Sequence, residues 1–519
     1  MSKIDITKLN ENDCTVWKMI GEGRVKGCFQ IESYLGKTWC KALKPDNILE
    51  LAALISIIRP GTLKAFVDGK SMTQHYVDRK HGKDKVPSLH ESIDDLLKET
   101  YGVIVYQEQA MEIAVKMAGF NLKEADDLRK AIGKKKADLM KKVRVKFIDG
   151  AKQKNIEEEK AIEIFDMIEK SARYSFNKSH AVAYAKMAYW SAYVKNHYVD
   201  KFMKNWLRDA DDKIDPDMEK RQLIIAAKTE GLEIKGPSIS VLKENFTFGE
   251  TNGIFPTIHF GICNVKNVGV AHLEKLKQGI ENLSNVNWSN LLVHVLPNVN
   301  KRAIENLISV GAFAGLGKSR TEMIHEFHCF NDFTKKEIQA IQDHLNIEGL
   351  TAIDIVKKFL AYGVKKNGGF ISTQTRLTKV EDILMRLQNP GRNLSDNSMT
   401  YARIEEKLLG YAINHSELNA CSDACHANAT CKELSDGRSD NCVIAVIIKG
   451  IREHKTKNGD IMAFVSAEDD SGELENIVIF PDIYEQNKDI IYDRATLLLS
   501  GQIKDKTRNS FIIDKVFSI

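Results

Sequence analysis

The sequence predicts a multidomain chain, mainly α-helical, with tandem helix-hairpin-helix units in its second half and a small all-β barrel of the oligonucleotide-binding (OB) type at its end. Three observations carry this prediction. Apolar residues recur at helical spacing through most of the first half. Two turns, at Lys266–Gly269 and at Asn300–Arg302, each open a new helix. From Cys442 onward the apolar period changes to that of strands. With 519 residues there is room for three or four domains, because domains commonly run to about 100–200 residues.

In the first of these, Leu49, Leu51, Ala52, Leu54 and Ile55 build an apolar helical face, and Arg59-Pro60-Gly61 stops it. Proline disfavours helix in the residue before it, and glycine then permits the turn. Asp78–Gly82 reads as a polar connection. Ala110, Ile113, Ala114 and Met117 give an amphipathic helix closed by Gly119. A second helix runs from Leu122 to Ile132 with Gly133 as its end, its apolar side being Ala125, Leu128 and Ile132. Arg129 and Lys130 are thereby left to point elsewhere. Ile162, Ile164, Phe165 and Ile168 mark another helix. After the loop Tyr174–His180 comes a long helix rich in small residues, for which Met187, Trp190 and Val194 are the expected packing stripe.

Charge is informative only locally. The 75 basic and 71 acidic side chains leave a net +4, which selects no partner. Between Arg129 and Lys146, however, nine cations face one acid, Asp138, an asymmetry suited to a polyanion. No apolar run reaches the roughly 18 residues of a membrane span, and no secretory segment is evident near Met1. The nine cysteines are odd in number and scattered, as expected of free thiols in a reducing compartment.

Further on, Asp209 with Asp211 and Asp215 with Asp217 form two Asp-x-Asp pairs. Neither lies on an apolar strand that would fix a metal geometry. Residues 245–262 read as short strands. The stretch Phe260–Leu276 reads as a short helix, a hairpin ending in glycine and a second helix. This would present the amides of Asn267, Val268, Gly269 and Val270 together, beside Lys266, as a phosphate site. Lys301 and Arg302 open the equivalent helix of a second unit. Residues 365–370 read as a linker. Cys421, Cys425, His426, Cys431 and Cys442 cluster at spacings too irregular for a favoured zinc site. Strands follow at Val443–Ile448, Ile461–Ala467, Leu474–Phe480, Ala495–Leu499 and Ser510–Asp514, with hairpins at Asn458-Gly459 and Ser471-Gly472. Arg452, His454, Lys455 and Lys457 on the first hairpin would offer phosphate contacts to DNA, the alternative being that a barrel of this kind binds protein.

Several peptides now carry a specific resemblance, and they occur in one order. They are Gly27-Cys-Phe-Gln-Ile-Glu-Ser33, Leu54-Ile-Ser-Ile-Ile-Arg-Pro-Gly61, Tyr101-Gly-Val-Ile-Val-Tyr-Gln-Glu-Gln109, Leu128-Arg-Lys-Ala-Ile-Gly-Lys-Lys-Lys136 and Phe176-Asn-Lys-Ser-His-Ala181. Gly311-Ala-Phe313, Leu409-Gly-Tyr411 and Asp469-Asp-Ser-Gly472 continue the series. On these the chain resembles the C-terminal half of the alpha subunit of bacterial DNA polymerase III, a C-family replicative polymerase. The resemblance implies fingers over 1–240, a duplex-binding domain with tandem hairpins over 241–435, and an OB barrel over 436–519. The palm's metal-binding aspartates have no counterpart in this sequence. Where the family often has two adjacent arginines this chain has Arg129-Lys130, which keeps the charge but loses one bidentate fork. Arg173 replaces a glycine before Tyr174.

The expectation is therefore one chain of a split replicative DNA polymerase, synthesising DNA from dNTPs only with a partner chain that supplies the palm. By resemblance Arg129, Lys130, Lys134, Lys135 and Lys136 would neutralise the incoming triphosphate, while Tyr174, Asn177, Lys178 and His180 close on nucleotide or template. Mg2+ would be held mainly by the partner palm with the dNTP. Primer-template DNA is an expected partner, as is the sliding clamp, although Gln374-Thr-Arg-Leu377 only approximates the clamp-binding peptide. No membrane association is expected. The setting is a bacterial cytoplasm, that of the cell or of a virus-infected host. The alternative reading is a non-catalytic DNA-binding module that regulates or tethers a replicative polymerase.

Overall fold

The computed structural model describes residues 5–63, 66–67, 69–134, 137–171, 175–249, 256–363, 373–456, 458–505 and 510–519. Two compact units divide the chain, 1–202 and 203–519.

The first unit is helical apart from a two-stranded ribbon, β1 (Phe66–Val67) with β2 (Lys70–Ser71). Its centre is helix Ile48–Ile57, buried from Glu50 onward. The predicted face is present, except that Leu49 is exposed. Against this helix lies the long helix Lys178–His197, and here the expected stripe holds only in part, Trp190 packing against the core. Ala181, Ala185, Ala188 and Ala192 are fully buried, whereas Met187 is exposed. Side chains without bulk let two backbones approach closely, so the alanine face packs, with Trp190 at its edge. Tyr189 joins this core and donates its hydroxyl to the Asn10 carbonyl at 2.7 Å.

A second core gathers helices Gln107–Ala118, Leu122–Lys134, Ala137–Gln153 and Glu158–Ser171 around Ile113, Leu128, Phe147 and Phe165. Gly119 closes the first of these at φ +67°, a left-handed position that other residues adopt at a cost. Gly133 does not end the next, which runs one residue further to Lys134. Glycine weakens a helix without breaking it when the chain around it is packed. Nor is Asp78–Gly82 a solvated connection. Asp78, Arg79 and Lys80 belong to helix Met72–Lys80. Asp78 is buried and accepts from Lys70 Nζ at 2.8 Å, while Lys80 pairs with buried Glu50.

The second unit begins with helix Pro216–Thr229, capped by Asp215, and a small sheet in the order β3 (Glu233–Lys235), β5 (Thr257–His259), β4 (Thr247–Phe248). The hairpin helices follow: the turn of helix Ile262–Asn264 with Val270–Glu281, then the segment Trp288–Asn298 with Lys301–Ser309. Leu273, Leu276, Ile304, Leu307 and Ile308 bury their apolar sides. Helices Arg320–Phe330, Lys335–His344, Ala352–Gly363, Gln374–Gln388 and Ser398–Leu409 complete this part. The linker expected at 365–370 lies outside the described residues.

The barrel is closed, in the order β10-β8-β7-β6-β9, with β10 (Ser510–Ser518) pairing back onto β9 (Thr496–Asp505). β6 (Cys442–Lys455) and β7 (Ile461–Asp469) run longer than their apolar cores, because the hairpin between them continues in polar sequence to the pair Lys455 and Ile461. Gly459 takes φ +99° in that turn. β8 (Gly472–Ile479) follows β7 directly, and Asp469 shapes the turn by accepting from the Ser471 amide at 2.8 Å. Cys431 and Cys442 are buried in the barrel core, while Cys425 is exposed.

Candidate nucleotide and DNA interface

In the first unit the structure joins two of the peptides singled out in the sequence. Phe176 donates its amide to the Val105 carbonyl at 3.0 Å and accepts from the Gln107 amide at 2.9 Å. This short parallel bridge sets the start of helix Lys178–His197 against the start of helix Gln107–Ala118. Gln109 holds its side of the bridge: its Oε1 accepts from the Val105 and Tyr106 amides, and its amide nitrogen donates to Thr100 at 2.8 Å.

Asn177 is the N-cap of the long helix and accepts from the His180 amide at 2.9 Å. Its side-chain nitrogen donates to Glu108 Oε1 at 2.9 Å, and the Lys178 amide donates to the other Glu108 oxygen at 3.0 Å. A carboxylate thus sits at a helix N-terminus, where free amides favour negative charge. Lys178 Nζ pairs with Glu99 at 2.5 Å and lies 5.7 Å from the centre of the Tyr106 ring. His180 is exposed, with its ring between those of Phe176 (5.3 Å) and Tyr184 (4.0 Å).

Arg129 and Lys130 lie on helix Leu122–Lys134, and both are engaged by Asp126 one turn earlier. Arg129 donates Nε and Nη2 to Asp126 Oδ1 at 2.9 and 2.7 Å, and Lys130 Nζ reaches Asp126 Oδ2 at 2.7 Å. Hydrogen bonds from Lys130 and Arg129 hold the Asp126 carboxyl below its usual range, and the same bond pushes the Lys130 ammonium up. The two cations are solvent-accessible, but they are not free as the apolar pattern implied. Lys135, Lys136 and Tyr174, and the side chain of Lys134, lie outside the described residues.

In the second unit, the turn Val265–Gly269 is held by Asn267 at φ +66°. Two of the four amides expected to face a phosphate are spent internally. Val268 donates to the Val265 carbonyl at 3.1 Å, and Gly269 donates to His272 Nδ1 at 3.1 Å. The Val268 side chain is buried, while Asn267, Gly269 and Val270 are exposed. Gly269 has open space where a Cβ would stand, so a ligand can approach its backbone. Lys266 Nζ is paired with Asp217 at 2.5 Å across a cleft of about 540 Å³. Lys220 pairs with Asp211 at 2.5 Å, Arg208 with Asp209 at 2.7 Å, and Asp215 caps a helix. Both Asp-x-Asp pairs are thereby accounted for.

At the second hairpin Asn300 caps helix Lys301–Ser309 by accepting from the Arg302 and Ala303 amides. Lys301 and Arg302 are exposed at its first turn. On the barrel, Arg452 is exposed and stacks over Phe464, its directly paired neighbour on β7, at 5.1 Å. Lys455 is exposed at the end of β6, and Lys457 lies outside the described residues.

Sequence reasoning missed Glu99, Glu108 and Asp126, the acids that hold these cations. Asp126 was within reach, since it stands three and four residues before its partners. Glu99 pairs across a sequence distance of 79 residues, and no local signal reports that.

Residues 1–155 match the model of the bacterial DNA polymerase III alpha subunit finger domain, and residues 231–323 match that of the helix-hairpin-helix motif. The DNA polymerase III subunit alpha of Aquifex aeolicus is 32% identical over 99% of this chain and 40% of its own length. Those of Bacillus subtilis and Staphylococcus aureus are each 29% identical, over 96% and 99% of this chain and 41% and 43% of their own lengths. The chain spans about two fifths of the length of the curated relatives it matches. The chain is thus similar, along nearly its whole length, to the C-terminal part of bacterial DNA polymerase III alpha subunits, over the stretch that begins at their finger domain.

Proposed function

We propose that this chain holds the incoming nucleotide and the primer-template DNA in a split replicative DNA polymerase, and that a separate palm-bearing chain supplies the catalytic carboxylates. The observation that supports this most is the relation to DNA polymerase III alpha subunits along 99% of the chain, beginning with their finger domain. On this reading residues 1–240 are fingers, 241–435 grip duplex DNA and 436–519 form the barrel.

Arg129 and Lys130 exchange Asp126 for the triphosphate, and the following lysines, Lys134, Lys135 and Lys136, neutralise it further. Tyr174, Asn177, Lys178 and His180 border the nucleotide. Lys266, Asn267, Val268, Gly269, Lys301 and Arg302 track the backbone of the duplex, and Arg452, Lys455 and Lys457 that of a strand beside the barrel. Phosphoryl transfer of this kind uses divalent metals to activate the primer hydroxyl and to stabilise the leaving group. The acids around the fingers cations do not suit that task, because Glu99, Glu108 and Asp126 are each committed to a cation or a helix cap. Among the described residues no group of three or more His, Cys, Asp or Glu side chains is placed to hold a metal ion. On this reading Mg2+ is held mainly by the partner palm, with the dNTP.

The test is primer extension by this chain, by a candidate palm chain and by the mixture. Activity in the mixture alone is expected. If the mixture neither associates nor extends a primer, the split-enzyme reading fails. DNA binding that persists without any extension would leave the tethering module, which the helix-hairpin-helix match favours.

A further inference from the structure

Most cations of the fingers cluster already have an acid: Lys178 has Glu99, Arg129 and Lys130 have Asp126, and Lys80 has Glu50. Arg59 differs. Its guanidinium carbon lies 4.1 Å from the centre of the Phe176 ring, and no carboxylate among the described residues meets it. It is exposed, yet its backbone is fixed on both sides. The Ile58 amide caps the end of helix Ile48–Ile57 at the Leu54 carbonyl, and the Arg59 carbonyl accepts from Leu63 at 3.0 Å. Phe176 is equally fixed, by the bridge to Val105 and Gln107 and by packing on the core behind it.

An aromatic face orients a guanidinium without neutralising it. A carboxylate would do both, and any phosphate would then have to displace it. Arg59 keeps its edge donors free of any carboxylate among the described residues, over Phe176 at the junction of the two peptides that the bridge joins. We infer that Arg59 is a phosphate-binding residue of this site, held ready by Phe176 to take phosphate oxygens in a forked pair of hydrogen bonds.

The inference rests on the nucleotide- and DNA-holding reading above. The phosphate comes either from a magnesium–nucleoside triphosphate or from the backbone of primer-template DNA, and the experiment separates the two. Arg59→Ala and Arg59→Lys are made in the full chain. Because Arg59 is exposed and meets no carboxylate among the described residues, both variants should melt as wild type does. Each is titrated with dTTP and Mg2+, followed by phosphorus NMR, and with fluorescein-labelled primer-template DNA, followed by anisotropy over a salt series. The Ala variant is expected to lose about tenfold or more in affinity for one of the two, the scale of a charged hydrogen bond. The Lys variant should recover only part of that loss, since it restores the charge but neither the fork nor the stacked plane.

Loss in the dTTP arm assigns the nucleotide as the source; loss in the DNA arm, with a shallower salt slope, assigns the backbone. If folded Arg59→Ala matches wild type in both arms, the inference is wrong while the proposed function stands. If wild type itself binds neither probe, both fall.

Discussion

At the scale of single residues, the fingers cations are held in a resting arrangement by their own acids. Asp126 binds Arg129 and Lys130 together, so under the proposed function a triphosphate would compete with Asp126 for the same donors. Asp126→Asn should therefore tighten triphosphate binding by a few-fold, as read by the same dTTP titration, since exposed ion pairs are individually weak. A loss of affinity instead would mean that Asp126 positions the cations rather than competing for them. Arg129→Ala in the reconstituted enzyme should raise the nucleotide concentration needed for extension far more than it weakens DNA binding; equal effects would remove its assigned role. The residue types at this site were legible in the sequence because Arg, Lys and capping Asn have local signatures. Their partners were not. The Lys178–Glu99 and Asn177–Glu108 contacts depend on a bridge between distant segments, and only folding brings those together.

At the scale of elements, periodicity located the helices well and misjudged one of their faces. In helix Lys178–His197 the large residues Met187, Trp190 and Val194 suggested the buried side. Instead Ala181, Ala185, Ala188 and Ala192 are buried together with Tyr189, and Trp190 packs at the edge of that core. Ala185→Leu should accordingly destabilise the first unit by roughly 1–3 kcal/mol in denaturant unfolding, whereas Met187→Ala should have little effect. Strand positions in the barrel were legible from alternation and from Asn458-Gly459, but the polar ends of β6 and β9 were not, since their pairing owes nothing to apolar pattern. In the second hairpin unit, Lys301 and Arg302 are exposed at a capped helix start. Replacing both with Ala should reduce the salt dependence of duplex binding by about one phosphate contact for each cation. An unchanged slope would take this turn out of the DNA interface.

At the scale of the second unit as a whole, one acid ties its parts together. Glu406, on helix Ser398–Leu409, meets Arg221 of helix Pro216–Thr229 at 2.5 Å, Lys449 of β6 at 3.1 Å, and Arg494 just before β9. Glu468 of β7 pairs with Arg221 and with Lys449 at 2.7 Å, so helices and barrel share one network. Burial alone would raise the Glu406 pKa, but Arg494, Lys449 and Arg221 outweigh it and hold the carboxyl at about 2, against an ordinary 4.5. A folded-state pKa below the unfolded one contributes stability above the unfolded value, and that stability is lost as pH falls through the folded one. Glu406→Gln should thus cost roughly 3 kcal/mol near neutrality. The gap between variant and wild type should close as pH falls from 4.5 toward about 2, which thermal melts across that range would show. A gap independent of pH would mean that shape, not charge, is what Glu406 supplies. None of this network was legible, because Arg221 and Glu468 stand 247 residues apart and each looks like any surface charge in its own segment.

The bridge at Phe176 has a kinetic side. Its two strands lie about 70 residues apart in the chain, and the helices from Gln107 to Ser171 form the loop between them. Closing a loop of that length costs chain entropy before the contact gives anything back, so this corner should be among the later parts of the first unit to assemble. It should also be among the first to open. The amides of Phe176 and Gln107 are both tied up in the bridge. Their hydrogen exchange, compared with that of Leu54 and Ile55 in the buried helix beside it, would measure how often the helical arm lifts away while the core stays folded.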